Sequence, residues 1–338
     1  MSILVTGGLG FIGSHTVVEF LEKTNKDIVI VDNLSNSKVI VLDKIKEITK
    51  KENIFFYQVD LMDQHELREV FTRHNLKSVI HFAGLKAVNE SIKKPLWYYN
   101  NNIMMTINLL NLMKEFNCKN MIFSSSATVY GNAPEPMIET SQIGVGIKNP
   151  YGQTKYMIEM ILKDFQYAYP SFNITCLRYF NPVGAHPSGL IGEDPNGIPN
   201  NLMPYILNVA CRKYDILSIF GDDYNTSDGT CIRDFIHVVD LANAHLLANN
   251  ELDETTGSFN VYNVGTGKGT SVMELVNVFE KVNNVPVPFK LTERREGDRD
   301  IVYCNNDLIA NKLGWKPIYD IKDMCKHSWN FVEKKEFK

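Results

Sequence analysis

Tyr151 and Lys155 lie one helical turn apart, and a serine run, Ser124-Ser125-Ser126, closes an apolar stretch upstream of them. Pro150 precedes the pair, and proline is favoured at the first turn of a helix, so both side chains project from one face of a helix start. A free tyrosine, with a pKa near 10, is about 3 units too weak as a base at pH 7, a deficit of about 4 kcal/mol. One cation about 4 Å away, at an effective dielectric of about 20, supplies an interaction of about that size. Lys155 is such a cation. A phenol tuned in this way takes a hydroxyl proton while the adjacent carbon gives up a hydride, with Ser126 bridging the hydroxyl. In a chain with 15 tyrosines a Tyr-x-x-x-Lys arises by chance, so the pair gains meaning only beside a hydride acceptor.

The N-terminal stretch supplies the acceptor's site. The apolar run Ile3-Leu4-Val5 enters Thr6-Gly7-Gly8-Leu9-Gly10-Phe11-Ile12-Gly13, and a second apolar run ends on Asp32. A strand, a glycine turn, a helix and a second strand closed by an acid form a dinucleotide site. The spacing of Gly7, Gly10 and Gly13 lets the backbone turn tightly and approach a pyrophosphate without an obstructing Cβ, with helix amides facing the anion. Asp32, about 20 residues on, suits the adenosine ribose, and its charge repels a 2′-phosphate. The cofactor expected is therefore NAD rather than NADP, and its nicotinamide ring is a second cation for Tyr151.

The elements that must position these groups follow from the hydrophobic pattern. Apolar runs at 28–31, 54–59, 79–82, 121–124 and 174–178 alternate with amphipathic stretches. That alternation predicts an α/β fold: a Rossmann-type doubly wound parallel sheet, with ligands at the carboxyl ends of its strands. After Asn181-Pro182 the texture changes, and Pro187, Gly189, Gly192, Pro195, Gly197 and Pro199 crowd a short span before a helical run at 202–212. At 338 residues the chain exceeds the size at which single cores tend to divide. Two domains are expected, a dinucleotide-binding domain at 1–180 and a smaller C-terminal α/β substrate domain at 181–338. Val238-Val239-Asp240, a helical run at 241–250 and a strand at 259–264 read as another β/α unit, so the segment at about 236–264 is a candidate to rejoin the first sheet. Gly265-Thr266-Gly267-Lys268-Gly269 lacks the residues of a phosphate loop and reads as a strand-to-helix turn, with Thr270 or Ser271 as the cap.

A net charge of −4 and 44% apolar residues suit a globular protein and argue against general nucleic-acid binding. No segment is patterned to span a membrane, and the first strand leaves no room for a secretory leader. Cys118, Cys176, Cys211, Cys231, Cys304 and Cys325 are scattered, without a CxxC pair or a histidine at metal spacing. They read as idle thiols of a cytoplasmic protein that binds no metal.

Several runs carry a family resemblance. They are Ile3-Leu4-Val5-Thr6-Gly7-Gly8, His81-Phe82-Ala83-Gly84-Leu85-Lys86-Ala87-Val88 and Ser124-Ser125-Ser126-Ala127-Thr128-Val129-Tyr130-Gly131. Arg178-Tyr179-Phe180-Asn181-Pro182-Val183-Gly184-Ala185-His186-Pro187 and Asn200-Asn201-Leu202-Met203-Pro204-Tyr205 complete the set. Together they resemble the UDP-glucose 4-epimerases, a branch of the extended short-chain dehydrogenase/reductases, from Ser2 to about Trp329.

The resemblance implies Tyr151 as the base, Lys155 as the lysine that tunes it and Ser126 as the hydroxyl partner. It implies cofactor contacts at Phe11, Ile12, Asp32, Asn33, Asn36, Ser37, Asp60, Leu61, Phe82, Ala83, Lys86, Asn101 and Phe180, besides the glycines and the catalytic trio. It implies that Lys86, Ser126, Tyr151, Asn181, Asn201, Leu202, Phe220, Arg233, Arg295 and Asp298 hold a UDP-hexose. Two arginines suit a diphosphate, and Asp298 can accept from ribose hydroxyls; the competing reading of Arg233 and Arg295 is surface pairing with the adjacent Asp234 and Glu296. The implied reaction inverts C4 of the hexose by transient oxidation with retained NAD, in a homodimer. Val302 falls where many bacterial relatives carry a bulky tyrosine, which leaves space for an N-acetyl group unless Tyr303 closes it. The expected activity is thus UDP-glucose/UDP-galactose interconversion, with UDP-GlcNAc/UDP-GalNAc as added substrates.

Two other readings compete. A nucleotide-sugar dehydratase or decarboxylase uses the same scaffold, but a 4,6-dehydratase needs an acidic pair after the active-site hydroxyl, and Ser126 is followed by Ala127-Thr128. An NAD-sensing regulator without catalysis has little use for Ser126, Tyr151 and Lys155 together.

Overall fold

The structure, a computed structural model, describes residues 2–197, 199, 201–295 and 298–337. The first half contains β1 (Ser2–Thr6), α1 (Phe11–Lys23), β2 (Asp27–Val31), α2 (Ile40–Thr49), β3 (Ile54–Tyr57), α3 (Gln64–Arg73), β4 (Leu76–His81), α4 (Val88–Lys93), α5 (Pro95–Glu115), β5 (Asn120–Ser126), α6 (Pro150–Ala168) and β6 (Asn173–Tyr179). The second contains β7 (Asn181–Val183), α7 (Leu202–Ala210), β8 (Leu217–Phe220), β9 (Ile232–Arg233), β10 (Phe235–His237), α8 (Val238–Glu254), β11 (Phe259–Val264), β12 (Thr270–Ser271), α9 (Val272–Asn283), β13 (Phe289–Thr292), β14 (Ile301–Val302), α10 (Asp307–Leu313) and α11 (Ile321–Phe337).

Seven strands form one parallel sheet in the order β11-β6-β5-β4-β1-β2-β3. Its strands are apolar on both faces because helices cover both. Ile3, Val5, Ile28, Ile30 and Ile122 face one way, against Phe20, Leu241 and Trp315. Leu4, Val29, Val31, Val79 and Met121 face the other, against Leu67, Leu109 and Leu162. The order reverses between β1 and β4, which opens a crevice beyond their carboxyl ends. A separate core of Met203, Ile206, Leu217, Phe235, Leu275, Phe279 and Met324 joins α7, α9 and α11.

The five strands expected between 28 and 178 are present, with β3 ending two residues before the expected 59 and β4 one before the expected 82. The strand at 259–264 does rejoin the main sheet, as β11 on its edge beside β6. Val238-Val239-Asp240 does not precede a helix but begins one. The reason is His237, whose Nδ1 accepts the Val239 amide at 3.1 Å and caps α8, so the strand lies one element earlier, in β10, which pairs with β7 outside the main sheet. The helix expected at 202–212 stops at Ala210, and Arg212 turns left-handed at φ 60°. Ser271 caps α9 by accepting the Glu274 amide at 3.0 Å. Among the described residues no helix is long and apolar enough to cross a membrane.

Candidate active site

The catalytic candidates converge where β5 ends and α6 begins. Ser126 closes β5, and its Oγ accepts the Thr128 amide at 3.2 Å, starting a short 3-10 turn at Ala127–Tyr130. Asn149 caps α6 by accepting the Gly152 amide at 2.8 Å, and Pro150 opens the helix, so Tyr151 and Lys155 occupy its first two turns. Ser126 hydrogen-bonds the Tyr151 side chain. The Lys155 ammonium donates to the Ser124 carbonyl, lies 4.7 Å over the Phe123 ring, and sits 6.0 Å from the centre of the Tyr151 ring.

The electrostatics amend the expectation that Lys155 makes the phenol acidic. Burial raises the Tyr151 pKa above its ordinary value, and the hydrogen bond from Ser126 offsets this only in part. Lys155 spends its charge on a strand carbonyl instead, and burial lowers its own pKa to about 8, opposed by the Glu159 carboxylate one turn further along. Glu159 itself is locked to Arg178 by two bonds, 3.0 Å from Nε and 2.7 Å from Nη2, and accepts from Ser125. The Arg178 and Glu159 side chains are 3% and 1% exposed. Arg178 also donates to the Tyr130 hydroxyl at 3.0 Å, and Tyr130 donates to Asn263 at 2.6 Å. Thus a buried ion pair lies next to the catalytic candidates. Its signal in the sequence was the carboxylate four residues after Lys155 and the serine next to Ser126, but nothing local ties either to Arg178 on the neighbouring strand.

The glycine turn has the shape a dinucleotide requires. Gly7 adopts φ +67°, and a Cβ there would lie 2.9 Å from the Ala83 amide nitrogen. At Gly13 a Cβ would meet the Gly7 carbonyl oxygen at 2.3 Å. The first turn of α1 carries no acid, and its cap Gly10 makes no side-chain bond, so the opening amides suit an anion. Asp32 closes the turn from β2: its carboxylate accepts the Leu9 amide at 3.1 Å, the Leu34 amide at 2.9 Å and the Ser37 hydroxyl at 2.7 Å. Next to it, Asn33 donates to Asp60 at 2.9 Å, with Leu61 buried beside them. Phe11 and Ile12 begin α1, Phe82 packs 4.8 Å from the His245 ring and Phe180 is buried at the end of β6. Asn101 hydrogen-bonds Asn102, which in turn accepts the Leu85 amide at 2.8 Å and donates to Thr154 at 3.1 Å. That bridge, not foreseen from the sequence, ties the loop after β4 to α6 beside Lys155.

The residues expected to hold the substrate fall into two groups. Asp298 gathers the first: Arg233 Nη2 lies 3.5 Å and Arg295 Nε 3.2 Å from its carboxylate, and the Arg295 guanidinium lies 4.7 Å over the Phe220 ring. Val302 is in register with Arg233 across the β14–β9 pair and packs in a cluster with Phe180 and Ala127. The Tyr303 ring reaches the neighbourhood of Gly269. Glu193 gathers the second group: its Oε1 accepts from Lys86 at 3.3 Å and from Asn201, at the start of α7 before Leu202, at 2.7 Å. The surface-pair reading of Arg233 with Asp234 fails. Asp234 is fully buried and takes up the Thr266 amide at 2.7 Å and the Gly267 amide at 3.0 Å, fixing the strand-to-helix turn, while its carbonyl accepts the Asn181 amide at 2.9 Å. The alternative partner of Arg295, Glu296, lies outside the described residues, as do Gly297 and Asn200 of the quoted runs.

Comparison with known proteins agrees with this geometry. The sequence family described as GDP-mannose 4,6 dehydratase matches residues 4–328. The chain is 52% identical over 336 residues to the UDP-glucose 4-epimerase of Pasteurella multocida (strain Pm70), covering 99% of this chain and 98% of that one. Among solved structures, the UDP-glucose 4-epimerase of Bifidobacterium longum in complex with NAD+ and UDP superimposes with a TM-score of 0.95 at 46% identity, over 99% of both chains. The enzyme from Stenotrophomonas maltophila, with bound NAD and formylated UDP-arabinopyranose, gives 0.95 at 44% identity, over 99% of this chain and 98% of that one. Within the broad dehydratase-type family this chain lacks the acidic pair after Ser126, and it belongs to the UDP-glucose 4-epimerase family.

Proposed function

We propose that this chain interconverts UDP-glucose and UDP-galactose by transient oxidation at C4 of the hexose. The observation that carries this reading is the meeting of Ser126, Tyr151 and Lys155 at one mouth of the sheet crevice, beside a glycine turn in which Gly7 and Gly13 leave no room for a Cβ. NAD, held by the turn at Gly7, Gly10 and Gly13 with Asp32, Asn33, Asn36, Ser37, Asp60 and Lys86 around it, supplies the hydride acceptor and a positive ring when bound. Tyr151 takes the 4-hydroxyl proton and returns it, and Ser126 relays the hydrogen bond between phenol and sugar. Lys155 holds the positive charge beneath them.

Arg233 and Arg295 grip the diphosphate, Asp298 and Phe220 the nucleoside end, and Asn181, Asn201 and Leu202 complete the pocket. Inversion needs a firm hold on UDP and a loose hold on the hexose, and charged groups cluster at the nucleotide end. Sugar analysis after incubation with UDP-galactose tests the reading: UDP-glucose is the expected product, and its absence contradicts the proposal.

The second substrate pair, UDP-GlcNAc and UDP-GalNAc, rests on the short Val302 side chain, which packs in a cluster with Phe180 and Ala127. Replacing Val302→Tyr should suppress turnover of UDP-GalNAc selectively, and negligible turnover by the parent beside brisk turnover of UDP-glucose contradicts it. The division at residue 180, the cytoplasmic setting and the homodimer belong to the same reading; ultracentrifugation tests the last of these.

A further inference from the structure

Residues 193–196 of the second half lie across two loops of the first. Glu193 accepts from Lys86, on the loop after β4, and its side chain is only 7% exposed. Asp194 accepts from Lys38, on the loop after β2, at 2.5 Å and from Lys335 in α11 at 2.6 Å. The Asn196 amide donates to Asn36 Oδ1 at 3.1 Å, and its side chain donates to the Ser35 carbonyl at 3.3 Å. One run of four residues therefore fastens both loops that hold the cofactor in the proposed function, on which this inference rests.

We propose that Glu193, Asp194 and Asn196 form a strap that retains the cofactor between the two halves of the reaction. They are positioning residues, acting through the loops they hold. A hydride removed from a hexose must return to that same hexose, so the cofactor has to leave more slowly than the sugar turns over. An isolated exposed ion pair holds little. Here the links share one short backbone, and opening the crevice breaks them together. Burial favours the neutral form of Asp194, yet hydrogen bonds from Lys335 and Lys38 outweigh it and hold its pKa below the ordinary carboxylate value, so at neutral pH it stays charged between two lysines from opposite halves. Glu193 Oε2 is buried without a hydrogen-bond partner among the described residues, an arrangement that costs stability unless a donor arrives. The hydroxyls of a bound nucleotide are donors of that kind.

The test is the release of cofactor from the purified holoenzyme after desalting, followed by assaying the nucleotide still bound over time. In an Asp194→Asn, Asn196→Ala double variant release should be about tenfold faster than in the parent, since changes of this kind act mostly on dissociation rates. Lys26→Gln, which removes an ion pair to Asp253 away from both loops, should release as slowly as the parent. Equal retention by the double variant and the parent overturns the strap, and so does equal acceleration by Lys26→Gln. A parent that binds no NAD, even when NAD is added, overturns the proposed function and the strap with it.

Discussion

The two ends of the crevice are built in opposite ways. At the catalytic end Lys155 is buried, and the Glu159–Arg178 pair below it is 1–3% exposed, so each charge has fixed partners and no water to turn to. At the anchoring end Arg233, Arg295 and Asp298 are 15%, 47% and 23% exposed, and two guanidiniums share one carboxylate. A buried ion pair gains little net stability but becomes costly when broken, which makes it a rigid mount. Arg233 is braced by the Ile232 and Arg299 carbonyls, at 2.8 and 2.9 Å, but the half-exposed Arg295 remains available to a diphosphate and can let it go again, with a grip that salt weakens. In the proposed function, rigidity lies where proton transfer needs geometry, and accessible charge where a ligand must bind and leave.

The largest effect that could break this contrast is at the phenol. Tyr151→Phe should lower kcat by about 10²–10⁴-fold with KM little changed, because it removes a group that acts only during proton transfer. Steady-state kinetics with UDP-galactose checks this, and a fall in kcat/KM carried by KM instead would place Tyr151 at the anchoring end.

The next effect separates the two ends directly. Glu159→Gln leaves Arg178 charged and half-partnered in the core, and should cost about 3–5 kcal/mol in urea unfolding. Arg295→Met should change stability by no more than about 0.5 kcal/mol. It should instead raise KM for the UDP-sugar by roughly ten- to a hundredfold, as expected for a lost charge-assisted hydrogen bond. Equal stability losses in both variants would erase the distinction.

The smallest effect is with pH. The folded-state pKa of Lys155 is about 8, below its ordinary value, so the folded protein loses this proton first as pH rises. Activity that depends on the ammonium should fall through pH 8. The contribution of Lys155 to stability has the opposite sign: between about 8 and 10.5 the unfolded chain binds the proton more tightly, and stability from this group rises with pH. A Lys155→Met variant should lose both trends in matched activity and denaturation series.

The sequence reveals the parallel sheet because its strands are short apolar runs separated by helical periodicity, and it reveals the glycine turn because the spacing has a steric reason. It misplaces the boundary at Val238, where an apolar run starts a helix capped by His237. Periodicity does not separate a buried strand from the buried start of a helix. Asp234 shows a similar limit: next to an arginine in sequence, it turns inward to a loop more than 30 residues away. The Glu159–Arg178 mount and the 193–196 strap were invisible for the same reason, since both join residues whose neighbourhood exists only after β5, β6 and the second half have packed.

The central claim is that the C4 hydrogen leaves and returns as a hydride within one enclosed site. Converting UDP-galactose deuterated at C4 in ordinary water tests it most directly. The account predicts that UDP-glucose keeps the full label at C4, whereas loss of deuterium to the solvent would contradict it.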